Sequence, residues 1–546
     1  MSVRDKAAQL LMPWISGRAA SDTAVTAAAE RRWADSLRVG GVIVSIGPSA
    51  QIAARLDDLQ GRAPLPLLVG SDLEGGSAMR ITDGTAFPTA MGVAAGGREA
   101  DAEAMGRITA REARAVGIHL VFAPVADVNS NPDNPVINTR AFGEDAALVA
   151  RYVRAHARGL RAGGALAVAK HFPGHGDLAV DSHLRLGVIA ADSATAWTRE
   201  LRPFRAAIAA GVTGVMTAHI ALPALDSGRV RAASLSPALT TGLLRERLRF
   251  RGIVVTDALD MAGAAPDGDP AEAAVQALEA GADLLLMPPD PAAALDALVR
   301  AVETGRVPEA RLDASVRRLL ALKRRLGLFR DRRVPLARVS GVVGAPAHRV
   351  AADSAAARSV VLVRDDGTVL RLRAAPARLL VLACVSDPKA TDSTGVVLAA
   401  ALRLHGHDVT LARVAGAPDS ARADSLAAAA AAVEAVVIAS GDRWATSRGR
   451  LGLPEGTVAL LGRLRAERPA VLVALGSPYV LRQLPDVGAY LVAWSSAPAS
   501  ERAVAAALSG AALRGRLPIS LMAGVPAGTG VLLPARAVPL PAPTAP

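Results

Sequence analysis

Cysteine is almost missing from this chain: Cys384 is the only one in 546 residues. That excludes an internal disulfide and any cysteine-based metal site. Cys384 stands in the apolar run LLVLACV, where a buried structural thiol is the default. Aromatic residues make up 3% of the chain, and no block of basic residues is long enough to form a nucleic-acid-binding arm. Long apolar runs are absent too. Nothing approaches the ~20 residues of a membrane span, and the start, MSVRDKAAQL, has no apolar core of a signal peptide. The sequence as it stands therefore reads as cytoplasmic; a trimmed N-terminus would change that reading to export.

What is there is material for a large core. A hydrophobic content of 51% beside 21% charged residues describes a soluble globular protein, and the length calls for two domains. The net charge of +12 is carried almost wholly by arginine. Spread over solvated helix faces, it needs no partner; a weak attraction to acidic cell-envelope polymers is the functional alternative. Nothing in the sequence specifies an oligomeric state.

Eight short apolar runs punctuate the first part of the chain: 9–15, 41–46, 66–71, 119–125, 165–169, 214–218, 252–256 and 282–287. Amphipathic segments lie between them, several closed by glycine as helices often are. Eight buried strands alternating with helices are the pattern of a (β/α)8 barrel of the TIM type, with a doubly wound open sheet as the alternative. Polar residues gather just after the runs: Asp72 and Glu74, Asp127 and the Asn-rich loop to Arg140, Lys170 and His171, His219, and Asp257. In a barrel the C-terminal ends of all strands open on one face, so residues this scattered would converge on one pocket.

The division read from the sequence is a barrel domain over 1–332, a linker over 333–355, a C-terminal domain over 356–534 and a disordered proline-rich tail over 535–546. In the third part six apolar runs (359–364, 379–385, 408–414, 435–441, 470–476 and 489–495) alternate with helical stretches. This predicts a three-layer α/β sandwich. It contains neither G-x-G-x-x-G nor a Walker pattern, so nucleotide binding there is unsupported.

The stretch Lys170 to His183, KHFPGHGDLAVDSH, concentrates the chemistry. Pro173, Gly174 and Gly176 prevent a regular helix, so it is a loop at a strand end. As a metal site it would offer His171, His175, Asp177 and His183, but without the helix that makes closely spaced histidines a good zinc pair. As a purely structural turn its histidines would only hydrogen-bond, which is the better reading for His175. As an acid/base site it would use Asp181 and His183: the carboxylate orients the imidazole and stabilises its protonated form, while the other nitrogen faces a substrate. An imidazole titrating near ~6.5 can give a proton in one step and take one back in the next. Such a cycle needs a nucleophile. Asp257, at the end of the buried run GIVVT, is the best-placed carboxylate.

Together with SDLEGG and Arg80, APVADVNSNPDNPVINTRAFGED, VMTAHIALPALD and VVTDALDM, the KHFPGHG and DSH motifs resemble family 3 of the glycoside hydrolases, in its β-N-acetylhexosaminidase branch. The match runs motif by motif, in order, from residue 3 to about 330, and LGSPYVLRQLP and GRLPISL resemble that family's C-terminal α/β sandwich domain. The resemblance implies that Asp257 is the nucleophile and that His183, paired with Asp181, is the general acid/base. It implies that Asp72, Arg80, Arg140, Lys170 and His171 bind the sugar, with His219 in the same pocket. It further implies a retaining exo-β-N-acetylglucosaminidase acting on oligosaccharides or peptidoglycan fragments, with no metal and no cofactor. A β-glucosidase or xylosidase of the family and a silent carbohydrate-binding protein are the competing readings. Because a neutral imidazole does not repel an anion as a carboxylate would, some phosphorolysis is expected as well. Ser77 and Ala78 replace an Arg-Val pair frequent in relatives, and Gly187 stands where proline is common.

Overall fold

The structure is a computed structural model that describes residues 1–18, 24–265, 268–386, 393–441 and 451–536. The described residues fall into two compact units, one of 1–86 and 99–349, the other of 87–98, 350–441 and 451–536. Most of the tail, 537–546, lies outside the described residues.

In the first unit every apolar run contributes a strand. A parallel ladder runs Ile253–Thr256, Gly214–Thr217, Leu166–Phe172, Leu120–Val121, Leu68–Ser71, Gly41–Val44, Trp14–Ile15. Pro13, which has no N–H to give to a ladder, splits the first run. Its other half, Leu11–Met12, pairs in parallel with Leu285–Leu286, and Leu284 bridges Val255. The two ends of the ladder are thereby joined, which closes the (β/α)8 barrel and excludes the open sheet.

The surrounding helices follow from local signals. Ala146–Ala162 starts on Asp145, whose Oδ1 accepts from the Leu148 N–H at 2.7 Å, and it buries Val149, Tyr152, Val153, His156 and Leu160 on one face. Its neighbour Glu99–Ala115 comes very close to it. A Cβ added at Gly159 would lie 2.1 Å from the Glu103 carbonyl oxygen, so the contact requires glycine there.

The second unit holds a six-stranded sheet in the order Val361–Arg364, Ala489–Val492, Ala470–Ala474, Ala435–Ser440, Arg378–Val385, Asp408–Ala415. Only the first pair is antiparallel. Strand residues alternate between two cores: Leu380, Leu382, Val436 and Ile438 face one, Leu379, Val381, Val437 and Val471 the other. Two buried faces make this the expected three-layer sandwich. Cys384 is fully buried, and burial pushes its thiol up to about 12.

Two features differ from the sequence division. Residues 87–98 belong with the second unit, where Met91 and Ala95 share a core with Trp494. The stretch 333–355 contains the short helix Val339–Val342 and most of the helix Pro346–Ser359; its run of alanines favours helix over an extended linker. Among the described residues no helix is long and apolar enough to cross a membrane.

Candidate active site

The buried strand Leu166–Phe172 delivers Lys170 and His171 to the C-terminal end of the barrel. The Lys170 ammonium lies 2.6 Å from Asp72 Oδ1 and 2.6 Å from Glu74 Oε1. Arg140 grips the same Glu74 carboxylate in a bidentate fork, with both contacts at 2.8 Å. Arg80 reaches the other oxygen of Asp72 at 3.7 Å. Burial alone would neutralise Glu74, yet Arg140 and Lys170 overcome it and hold its carboxyl well below the ordinary value. Lys170 is likewise pressed down by burial but raised on balance by Asp72 and Glu74. Three cations thus share two carboxylates, and of these five groups Asp72 and Arg80 are about one-quarter exposed. Those two are the most open to a ligand of the five.

His171 is oriented by Asp127, a fully buried carboxylate. Oδ2 lies 2.7 Å from the ring Nδ1, while Oδ1 accepts the backbone N–H of His171 at 3.2 Å and of His175 at 2.8 Å. Arg140 Nη2 stands 3.2 Å from His171 Nε2. A guanidinium can only donate, so Nε2 accepts and the ring proton sits on Nδ1, facing Asp127. Burial works to raise Asp127, but its interaction with His171, including the hydrogen bonds from the ring and backbone N–H, outweighs it and holds the carboxyl below its usual range.

Farther along the loop, His183 Nδ1 lies 2.7 Å from Asp181 Oδ1, and the same oxygen accepts the His183 backbone N–H at 2.9 Å. Asp181 is buried, whereas the His183 side chain is 21% exposed: the carboxylate is sequestered behind an imidazole that meets solvent. Ser182, between them, shares a hydrogen bond of 2.8 Å with Nε2 of buried His175. Burial pushes the His175 ring down to about 4, so it is neutral at physiological pH. The loop is pinned earlier at Asp177, whose carboxylate accepts from Ser130 Oγ at 2.9 Å and pairs with Arg199 at 2.8 Å. Arg199 in turn contacts Glu200 at 2.5 Å. Glu200 is fully buried with Oε2 unpartnered, and burial pushes its carboxyl up to about 7.

Asp257 follows the strand Ile253–Thr256. Its N–H donates to the Thr217 carbonyl at 2.8 Å, and its Oδ1 accepts the Ala258 N–H at 2.9 Å. Burial opposes the charge, but His171 and His219 outweigh it and lower its carboxyl below the ordinary value. His219 differs from the place expected for it. It is fully buried, with Nε2 3.0 Å from the Ala258 carbonyl and Nδ1 2.7 Å from Ser234 Oγ. Since a carbonyl only accepts, Nε2–H donates to it and Nδ1 accepts from the serine. Both nitrogens serve protein partners, and the ring braces the peptide that follows Asp257.

The barrel end therefore assembles Asp72, Arg80, Arg140, Lys170 and His171 into one linked cluster, carries Asp181 and His183 as a second, and sets Asp257 within electrostatic reach of His171 and Lys170. Among the described residues no group of three His, Cys, Asp or Glu side chains is arranged to hold a metal ion. The supporting groups Ser234, Arg199 and Glu200 carry no sequence signal of their own, and Ser182 shows only as the middle residue of the DSH motif. Their roles arise only from partners elsewhere in the fold.

The family model described as the glycosyl hydrolase family 3 N-terminal domain matches residues 2–322. A protein of Cellulomonas fimi named β-N-acetylglucosaminidase/β-glucosidase is 36% identical over 343 residues, spanning 61% of this chain and 61% of that protein. The chain thus spans about three-fifths of that relative's length. Among solved structures, a glycoside hydrolase family 3 β-N-acetylglucosaminidase from Paenibacillus sp. str. FPU-7 is 33% identical, with a TM-score of 0.85 over 95% of this chain and 99% of the other. A β-glucoside phosphorylase, BglX, is 26% identical with a TM-score of 0.87 over 96% and 95% of the two chains. By sequence and fold alike, this chain belongs to glycoside hydrolase family 3.

Proposed function

We propose that the protein is a retaining, exo-acting β-N-acetylhexosaminidase that releases terminal N-acetylglucosamine from oligosaccharides, peptidoglycan fragments among them. The observation that carries this reading is the buried Asp181 behind a partly exposed His183, 2.7 Å apart on a loop of the same barrel end as Asp257. The names of the Cellulomonas and Paenibacillus relatives support it.

In the first step Asp257 attacks the anomeric carbon while His183, protonated, gives its Nε2 proton to the glycosidic oxygen. The bond to the aglycone breaks, and the aglycone leaves as an alcohol. A covalent glycosyl-aspartate remains. Neutral His183 then takes a proton from water as the water oxygen attacks the same carbon, freeing the sugar and the Asp257 carboxylate with net retention. Asp181 holds the imidazole by Nδ1 and stabilises the imidazolium present before the first step and regenerated in the second. The lowered pKa of Asp257 keeps the nucleophile ionised at neutral pH. Asp72 and Arg80 present polar groups to sugar hydroxyls, Lys170, Arg140 and His171 complete that wall, and His219 acts behind Asp257 as a brace.

A second outcome has support in the likeness to the phosphorylase BglX. A neutral imidazole tolerates an anionic acceptor, so inorganic phosphate can replace water and yield N-acetylglucosamine 1-phosphate. No such product at high phosphate would remove this outcome and leave hydrolysis standing.

The test of the main reading compares nitrophenyl β-glycosides of N-acetylglucosamine, glucose and xylose. The N-acetylglucosaminide should be the preferred substrate, and Asp257→Ala should abolish turnover. Turnover of the glucoside alone, or an unimpaired Asp257→Ala variant, would overturn the assignment.

A further inference from the structure

Beside the helix Ala146–Ala162 and the segment Ala196–Ala209, in the first unit, lies a groove of about 630 Å³ that shares no lining residue with the site described above. Arg151 and Arg154 enter it from the first helix, Arg202 and Arg205 from the second. Each pair is spaced i,i+3, which puts both guanidiniums on one helix face, and all four side chains are exposed. Arg151 pairs with Glu99 at 3.1 Å. Arg154, Arg202 and Arg205 have no ion pair or hydrogen bond among the described residues. Like charges held this close repel one another, so the groove gains when an anion enters.

The rest of the lining narrows the class of anion. Ala150 and Ala206 provide methyl groups, and the half-buried indole of Trp197 also lines the groove, with the Arg247 guanidinium 4.1 Å from its ring centroid. A bare phosphate gains nothing from an apolar floor. A sugar ring does: its C–H face packs on methyl groups and indole while its carboxylate takes a bidentate arginine.

We propose that this groove binds an acidic glycan strand, with carboxylates on Arg154, Arg202 and Arg205 and a sugar ring against Trp197. The site stands apart from the hydrolytic pocket, and its existence does not depend on which glycoside that pocket cleaves.

The probe is a hexasaccharide of alternating glucuronic acid and N-acetylglucosamine ending in glucuronate, which an exo-acting N-acetylglucosaminidase leaves intact. Titration calorimetry on the full chain should show one saturable site whose affinity falls between ~20 and ~200 mM salt. Arg154→Glu with Arg202→Glu should weaken binding at least ~10-fold and Trp197→Ala several-fold, with hydrolysis of the nitrophenyl N-acetylglucosaminide unchanged in both. Absent or non-saturable binding, or full binding by these variants, would overturn the proposal. So would equal competition by tripolyphosphate or a single-stranded hexanucleotide, since charge alone would then explain the effect. A parallel loss of hydrolysis in variants with wild-type circular dichroism would place these residues in the pocket and equally refute a separate site.

Discussion

The two ends of the segment from Lys170 to His183, one in a strand and one in the loop after it, are built on opposite physical plans. At Lys170 and His171 the side chains are 3% and 6% exposed and locked by a lattice of charges: two ammonium contacts of 2.6 Å, a bidentate arginine, and an imidazole clamped by Asp127. At Asp181 and His183 a 2.7 Å contact to a buried carboxylate orients an imidazole that is 21% exposed, and Ser182 and Asp177 bond neighbouring parts of the segment to the rest of the barrel end. The first end is made to stay, as recognition of a fixed ring of hydroxyls demands. The second is more open to solvent, as suits a group that must address a leaving oxygen in one step and a water in the next.

The sharpest way to break that contrast is to strike the rigid end. Glu74→Gln leaves Arg140 and Lys170 short of a buried counter-charge and should destabilise the fold by ~3–5 kcal/mol, read by urea denaturation, with sugar binding lost as well. A fold and a KM close to wild type would mean that the lattice is not what holds this wall. His183→Ala strikes the more exposed end. It should leave stability within ~0.5 kcal/mol and cut turnover of unactivated glycosides by ~10²–10⁴-fold, while nitrophenyl glycosides, whose leaving group needs no proton, lose far less. Equal losses on both substrates would remove the acid role.

Smaller effects should come from the tethers. Ser182→Ala takes away one hydrogen bond of about 1 kcal/mol and should lower kcat with KM nearly unchanged, because it misplaces the arm and leaves the sugar wall alone. A rise in KM alone would place Ser182 with the wall. Glu200→Gln should show a pH signature. Its folded carboxyl titrates at about 7, above the unfolded value of 4.5, so the wild type holds the full benefit of the protonated form below pH 4.5 and loses it as pH rises through 7. The glutamine variant should therefore match wild type in acid and exceed it in thermal stability above pH 7. The same difference at every pH would mean that the two states of Glu200 are not distinguished by folding.

Much of this architecture is legible in the chain because buried parallel strands must be apolar on both faces. All eight runs of the first part and all six of the second became strands, and period-two alternation explains why neighbouring residues such as Leu379 and Leu380 serve different cores. Helix Ala90–Ala95 escaped because its six residues, all buried, show no apolar–polar periodicity; what assigns it to the second unit is its contact with Trp494, some 400 positions away in sequence. The same limit governs the site. Asp72, Asp181, His183 and Asp257 stand in recognisable motifs, but nothing along the chain shows that His219 spends both nitrogens on Ser234 and Ala258, or that Asp127 takes two backbone N–H groups and a ring.

Residue type and spacing alone determine which groups can transfer a proton, attack a carbon or carry a charge, since those are properties of the side chains themselves. They also determine the barrel and the sandwich, through the apolar runs that must be buried. Which nitrogen of a histidine is available, which carboxylate remains ionised and which arginines lie unpaired in a groove were decided only by the tertiary structure. Each depends on a partner within about 3 Å supplied by a distant part of the chain, and on whether water can reach the pair.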